Sequence, residues 1–235
     1  MELSTVMRTT GAVREFTGDP VPREVLHAVL DDARFAPSGG NRQGWKVAVV
    51  EDPDLRRHLG ALCAPVWGEY LAQTFAGETP FSVVRPTAVD LVAAAADPPA
   101  NPLLDDLADA PAVLAVAVDL SALAVMDKDL DRPSVVGGGS VYPFCQNLML
   151  AARDRGLGGV MTTFLSRVED QAGPELGLPE GHALVAMVVL GTPVHQPTRL
   201  RRRAVEEFTT VDRFDGEAFS VPSAPTAAPT AAPNS

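Results

Sequence analysis

The chain has 235 residues, 46% of them apolar, and a formal charge of -11 at neutral pH, enough apolar material to bury a sizeable core in one domain. So acidic a chain repels phosphate backbones, which argues against a nucleic-acid partner. No uninterrupted apolar run approaches the roughly 18 residues of a membrane span, and the opening MELSTVMRTTG lacks the apolar core of a signal peptide, so no membrane contact and a cytoplasmic location are expected.

Between Val21 and Ala36, the apolar Val25, Leu26, Val29, Leu30 and Ala33 recur at three- and four-residue spacing. This predicts an amphipathic helix with Pro22 in its first turn and Pro37 as its stop. Lys46–Val50 is short and β-branched, the pattern of a buried strand, and Asp52-Pro53 then signals a helix over 52–62. Residues 76–104 are rich in Pro, Ala and Asp; a long loop or lid is expected there, with one short helix around 87–96. Ala112–Leu120 is a continuous apolar run, the signature of a strand covered on both faces. Ser140–Arg155 follows a triple glycine and reads as a buried helix with Pro143 in its first turn and Gly156 as its stop.

Two more strands are expected at 159–164 and 183–190, around a short helix near 167–176. Helices alternating with a few strands give an α+β or α/β class with a central sheet. Residues 220–235, with their PTAAPTAAP pattern, cannot bury enough apolar area to offset ordering entropy, so a 1–219 domain followed by a disordered Pro/Ala/Thr-rich tail is expected. Cys63 and Cys145 lie far apart in apolar contexts, without CxxC or a nearby His pair; they read as core residues rather than metal ligands or a disulfide.

Four segments hold residues that are poor choices for packing. RTTGAVREF (8–16) sets Arg8 and Arg14 around hydroxyls and a glycine, cations suited to a phosphate or carboxylate; a solvated helix face would have the same composition. In APSGGNRQGW (36–45), Ser38 and Asn41 offer donors while Gly39 and Gly40 let backbone approach a flat surface; an ordinary helix-to-strand loop is the alternative. GLGGVMTTF (156–164) ends a strand in Thr162 and Thr163, and RLRRR (199–203) is a phosphate-clamp candidate or plain solvated surface.

No GxSxG, HExxH, carboxylate cluster or GxGxxG occurs, and His27, His58, His182 and His195 pair with no Ser or Cys. Acyl transfer, metal-assisted hydrolysis and a Rossmann nicotinamide site are therefore disfavoured. Separated arginines, glycines and amides suit a cofactor with an anionic tail and a flat polar ring, the shape of flavin mononucleotide (FMN).

Taken together, MRTTGAVREF, FAPSGGNRQGW, GGGSVYPFCQNLMLAARDRGLGGVMTTF and RRRAVEEFTTVDRF resemble the nitroreductase family of flavin-dependent oxidoreductases, in the family's order and across residues 4–214. The resemblance implies a central, mostly antiparallel sheet wrapped by helices, and a homodimer with FMN sites at the subunit interface and C-terminal segments reaching the partner. It implies cofactor contacts from Arg8, Thr10, Ala12 and Arg14, with Arg14 at the ring's N1–O2 edge as the catalytic, charge-stabilising group. Pro37, Ser38, Gly39, Asn41 and Gln43 would form the loop lent by the other subunit. Thr162 and Thr163 would pass near N5, and Arg201 and Arg202 would neutralise the phosphate.

The implied reaction carries hydride from NAD(P)H through the flavin to a small organic acceptor of nitroaromatic, quinone or enone type. Trp67, Tyr70, Phe75 and Phe81, in the 65–105 segment, would shape the acceptor pocket or simply pack. Two departures from the family pattern stand out. Thr10 and Gly11 replace a basic pair, removing a charge-assisted contact worth about 1.5–3 kcal/mol, and Gly44 replaces a proline, which should loosen the loop. The first departure supports a second reading: a flavin-poor binding protein that kept the fold without catalysis.

Overall fold

The structure is a computed structural model in which residues 1–221 are described; the expected tail falls outside them from residue 222 on. The chain divides into two units, Met1–Arg199 and the residues from Leu200 onward. No helix among the described residues is long and apolar enough to cross a membrane.

The first unit opens with α1 (Leu3–Thr9), α2 (Arg23–Ala33), β1 (Trp45–Val50) and α3 (Pro53–Phe75). Next come α4 (Leu91–Ala96), α5 (Pro102–Asp105), β2 (Ala112–Asp119) and α6 (Tyr142–Asp154). It closes with β3 (Gly158–Thr162), α7 (Phe164–Arg167), α8 (Glu169–Glu175) and β4 (His182–Gly191). The strands form a four-stranded sheet in the order β1-β2-β4-β3 with every pairing antiparallel, which makes the class α+β.

β2 explains its own composition. Leu114, Val116 and Val118 point into a core shared with α2 and α6, whereas Val113, Ala115 and Ala117 point into a second core shared with α3. Alternate residues of a strand face opposite sides, so a central strand covered by helices on both sides must be apolar throughout. Trp45, at the start of β1, stacks on Phe144 of α6 with ring centroids 5.0 Å apart.

Four expectations change. β1 is an edge strand with only Val50 buried, because its outer edge has no neighbouring strand among the described residues and β-branched composition cannot report an edge. α3 does not stop near residue 62 but runs for 23 residues through Pro65 to Phe75, so the start of the 65–105 segment that carries Trp67, Tyr70 and Phe75 is helix. It buries Leu59, Cys63 and Val66, and at Gly60 and Gly68 it admits the backbone carbonyls of Leu104 and Ala94. A helix covered on several sides shows no single apolar stripe.

The loop that follows α3 is tied down. Glu78 accepts from Thr87 Oγ1 at 2.5 Å and from the Ala88 amide at 2.9 Å, while the buried Gln73 accepts from the Phe81 amide at 3.1 Å. The third change is at Phe164, which begins α7 instead of ending β3. α2 also ends earlier than Pro37, at Ala33, and turn bonds from Phe35 N–H to Asp32 O and from Ala36 N–H to Ala33 O lead on to the proline.

The second unit contains a short 3-10 turn at Val205–Glu207 and a bridge between Thr210 and Ala218.

Candidate functional site

The first and third segments meet through their backbones. The Val13 amide donates to the Gly159 carbonyl at 2.8 Å, Ala12 bridges Gly159 in parallel, and Phe16 bridges Pro193. Glycine is what permits this approach: a Cβ on Gly158 would lie 2.8 Å from Val13 Cγ2, and one on Gly159 would lie 2.5 Å from Leu190 Cδ2. Gly158 thus lets the arginine-bearing arm lie along β3, while Gly159 makes room for Leu190 of β4.

On that arm Arg8 and Arg14 are exposed. Some arginines of this acidic chain meet carboxylates, as in Arg34 with Asp31, Arg155 with Asp32 and Arg167 with Glu69. Among the described residues Arg8 and Arg14 have no such partner. Thr10 differs, since its hydroxyl donates to the Val6 carbonyl at 2.7 Å and caps α1, leaving only its lone pairs. Ala12 contributes backbone alone. Arg14 lines an open cleft of about 410 Å³ with Glu15, Asp106 and Asp109, whose carboxylates make that cleft unfit for a phosphate.

The second segment forms a tight 3-10 turn over Gly39–Asn41. Gly40, Asn41 and Gln43 take φ of 61, 54 and 51°; asparagine tolerates the left-handed region, but a glutamine there is strained. Hydrogen bonds hold the strain. Ser38 Oγ accepts from the Gln43 amide at 2.9 Å, the Gln43 side-chain amide donates to Asn41 Oδ1 at 3.1 Å, and Arg42 Nη1 donates to the Gly39 carbonyl at 2.7 Å. Pro37, Asn41 and Gln43 are exposed, while Ser38 and Gly39 are half-buried. Gly44 does not loosen this loop: Ala122 fills the space beside it, and its carbonyl accepts from the Asp119 amide at 2.8 Å.

At the end of β3, Thr162 is half-buried and its Oγ1 has no protein partner; an enclosed, unpaired hydroxyl is costly, and a ligand that hydrogen-bonds to it would remove that cost. Thr163 is exposed and occupies the N-cap position of α7 without a side-chain capping bond. Nearby, the Trp67 indole Nε1 is likewise enclosed without a partner, and its ring stacks on Tyr70 at 5.9 Å and meets Phe164 at 6.4 Å. Phe81 lies 5.5 Å under the Arg167 guanidinium, whereas Phe75 is 83% exposed and joins no cluster. Cys63 and Cys145 are buried free thiols, and burial pushes Cys63 up to about 12 and Cys145 up to about 11.

Register separates two halves of the candidate site. The arm carrying Arg14 joins the sheet where Gly159 faces Leu190 and Leu190 faces Ala112. The Ser38–Gln43 loop leads into Trp45, which faces Val118 at the far end of β2. One chain therefore does not bring Arg14 and Asn41 together. Arg201 and Arg202 belong to the second unit, where both are exposed and Arg202 Nη1 donates to the Arg201 carbonyl at 2.7 Å.

Residues 7–192 match the family model described as the nitroreductase family. The chain is 27% identical over 196 residues to an NADH dehydrogenase of Thermus thermophilus, covering 83% of this chain and 89% of that one. It is 27% identical over 232 residues to a nitrobenzene nitroreductase of Ectopseudomonas oleovorans, covering 88% and 96%. Among solved structures, oxidized iodotyrosine deiodinase bound to FMN and 3-iodo-L-tyrosine superposes with a TM-score of 0.63 at 24% identity, covering 86% of this chain and 96% of that one.

Proposed function

The chain belongs to the nitroreductase family, and from that premise we propose that it is an FMN-dependent oxidoreductase drawing electrons from NAD(P)H and passing them to a small organic acceptor. Relatives described as an NADH dehydrogenase and a nitrobenzene nitroreductase support the reaction class, and a fold neighbour bound to FMN supports the cofactor. One observation carries the reading: Arg8 and Arg14, on the arm that Gly158 lets lie along β3, are exposed and have no carboxylate partner among the described residues. Cations left free beside a glycine-opened arm are available for an anionic ligand.

The residues present fit the group. FMN, when bound, supplies the redox chemistry by accepting a hydride equivalent and giving it up again. Arg8, Arg201 and Arg202 are the cations assigned to its phosphate. Arg14 is assigned to the ring, where a fixed positive charge stabilises the negative charge of the reduced form. Ser38, Asn41 and Gln43 would offer hydroxyl and amide groups to the ring's polar edges with Pro37 and Gly39 beside them, and the unpaired Thr162 hydroxyl and the neighbouring Thr163 would hold it from the end of β3. No side chain acts as a nucleophile, and two substrates using one site in turn predict ping-pong kinetics.

The proposed assembly is a homodimer. Arg14 and the Ser38–Gln43 loop approach opposite ends of the sheet, so a site that uses both is completed by the loop of a second copy. A second reading, a flavin-poor binding protein, is favoured by the Thr10 hydroxyl being committed to Val6. Absorbance separates them: purified protein should carry or take up FMN and bleach on addition of NADH or NADPH. Protein that stays colourless after incubation with FMN would end the oxidoreductase reading.

A further inference from the structure

Residues 125–136, between β2 and α6, form a loop that apolar burial cannot hold, because Met126, Leu130 and Val135 are 85, 56 and 71% exposed. At its centre is Asp127, an acidic residue only 4% exposed. Its carboxylate accepts from Arg132 Nη1 at 2.7 Å, from Ser134 Oγ at 2.7 Å and from the Val135 amide at 2.9 Å. These bonds, the Val135 amide first, then the Ser134 hydroxyl and the Arg132 guanidinium, hold the carboxyl well below the usual range. A buried charge satisfied in this way staples the residues that surround it.

The stapled loop is pinched at its base and rests against the cofactor loop. A Cβ on Gly137 would lie 3.3 Å from Val125 Cγ2 and 3.7 Å from Leu123 Cδ1, so the two ends of the loop meet. Beyond the pinch, the 3-10 turn Val136–Ser140 delivers Ser140, whose Oγ accepts the Gly39 amide at 3.1 Å. On the other limb, Ala124 Cβ lies 3.7 Å from the position a Gly39 Cβ would take. Both limbs thus reach the same glycine.

We propose that Asp127 is a positioning residue for the cofactor loop: by closing the 127–136 turn it sets Ser140, and through the Ser140–Gly39 hydrogen bond it holds Ser38–Gln43 in its strained form before any ring arrives. The inference rests on the assignment of Ser38–Gln43 to FMN, and it adds residues that lie outside the contact set, Asp127 and Ser140. A preformed loop binds more tightly because its ordering has already occurred.

The test is a double-mutant cycle on the full chain with Asp127→Asn and Ser140→Ala, read first by amide exchange of the FMN-free protein. Each single change should speed exchange at Gly39 by about tenfold, the loss of roughly one hydrogen bond, with β2 and β4 amides unchanged, and the double change should go no further than Ser140→Ala alone. Ser134→Ala, which removes one donor and leaves the charge, should move the same amide in the same direction by a smaller factor; it serves if Asp127→Asn does not fold. The FMN dissociation constant should follow the same non-additive order. Unchanged Gly39 exchange in Asp127→Asn or Ser134→Ala, or additive effects in the double variant, would overturn the proposal. If the exchange coupling holds but wild-type protein binds no FMN, the cofactor assignment fails and the loop coupling stands.

Discussion

Gly44 and Ala122 share one packing site where β1 begins and β2 has just ended: a Cβ on Gly44 would lie 2.6 Å from Ala122 Cβ. A methyl group supplied from one side of the contact excludes a ring or methyl on the other. Gly44→Ala or Gly44→Pro should therefore destabilise the protein by about 1–3 kcal/mol, the usual range for overpacking. Adding Ala122→Gly should restore most of the loss in thermal melts of the Gly44→Ala variant. Full stability of Gly44→Pro alone would mean that the loop is as loose as its composition suggests.

The same logic applies where the arm meets β3. Gly159→Val would drive a branched side chain toward Leu190 Cδ2 and the Val189 carbonyl, 2.5 and 2.8 Å from the Cβ position. The expected cost is about 2 kcal/mol or more, with FMN uptake falling along with it because the Arg14 arm loses its seat. Urea midpoints and flavin binding measured on the same preparation check this.

Arg14→Ala should slow reduction by NAD(P)H more than it weakens flavin retention, by about 100-fold or more if Arg14 is the principal charge opposing the reduced ring. Stopped-flow bleaching gives the first quantity and a flavin fluorescence titration the second. Equal losses in both would make Arg14 an anchor and leave the electronic role without a residue.

Arg8→Ala and Arg202→Ala should each raise the FMN dissociation constant by about tenfold to a hundredfold, the value of one charge-assisted hydrogen bond. Riboflavin, which lacks the phosphate, should bind these variants as it binds the wild type. A parallel loss for riboflavin would move these arginines from the phosphate to the ring.

The thiols offer a check on pH. Burial raises Cys63 to about 12 and Cys145 to about 11, so the native state favours the protonated form and both should resist thiol reagents until the protein unfolds. Because the folded values exceed the unfolded thiol value of about 8.5, this contribution is intact below that pH and declines as pH rises toward the folded values. Native protein that reacts rapidly at pH 8 would contradict the buried placement.

What could be read from residues alone follows from how each element is covered. β2 was legible because both of its faces are buried and every position shows it. α2 was legible because a single face packs, leaving Leu26, Val29 and Ala33 at helical spacing. α3 was only half legible: it is covered by the sheet, by the carbonyls at Gly60 and Gly68 and by α7, so its apolar residues show no stripe and Pro65 looks like an end.

For the site, the linear sequence determined the inventory: arginines set apart from the packing pattern, a glycine-bearing turn, a strand ending in threonines, and a family likeness carried by their order. Tertiary structure alone decided which of them meet. Strand register puts Val13 on Gly159 and sends the Ser38–Gln43 loop to the opposite end of the sheet, and register depends on pairings between residues distant along the chain. Ser140 and Asp127 escaped notice for the same reason, since a hydroxyl and a carboxylate in a polar loop carry no signal until folding brings Ser140 to Gly39 and closes the turn around Asp127.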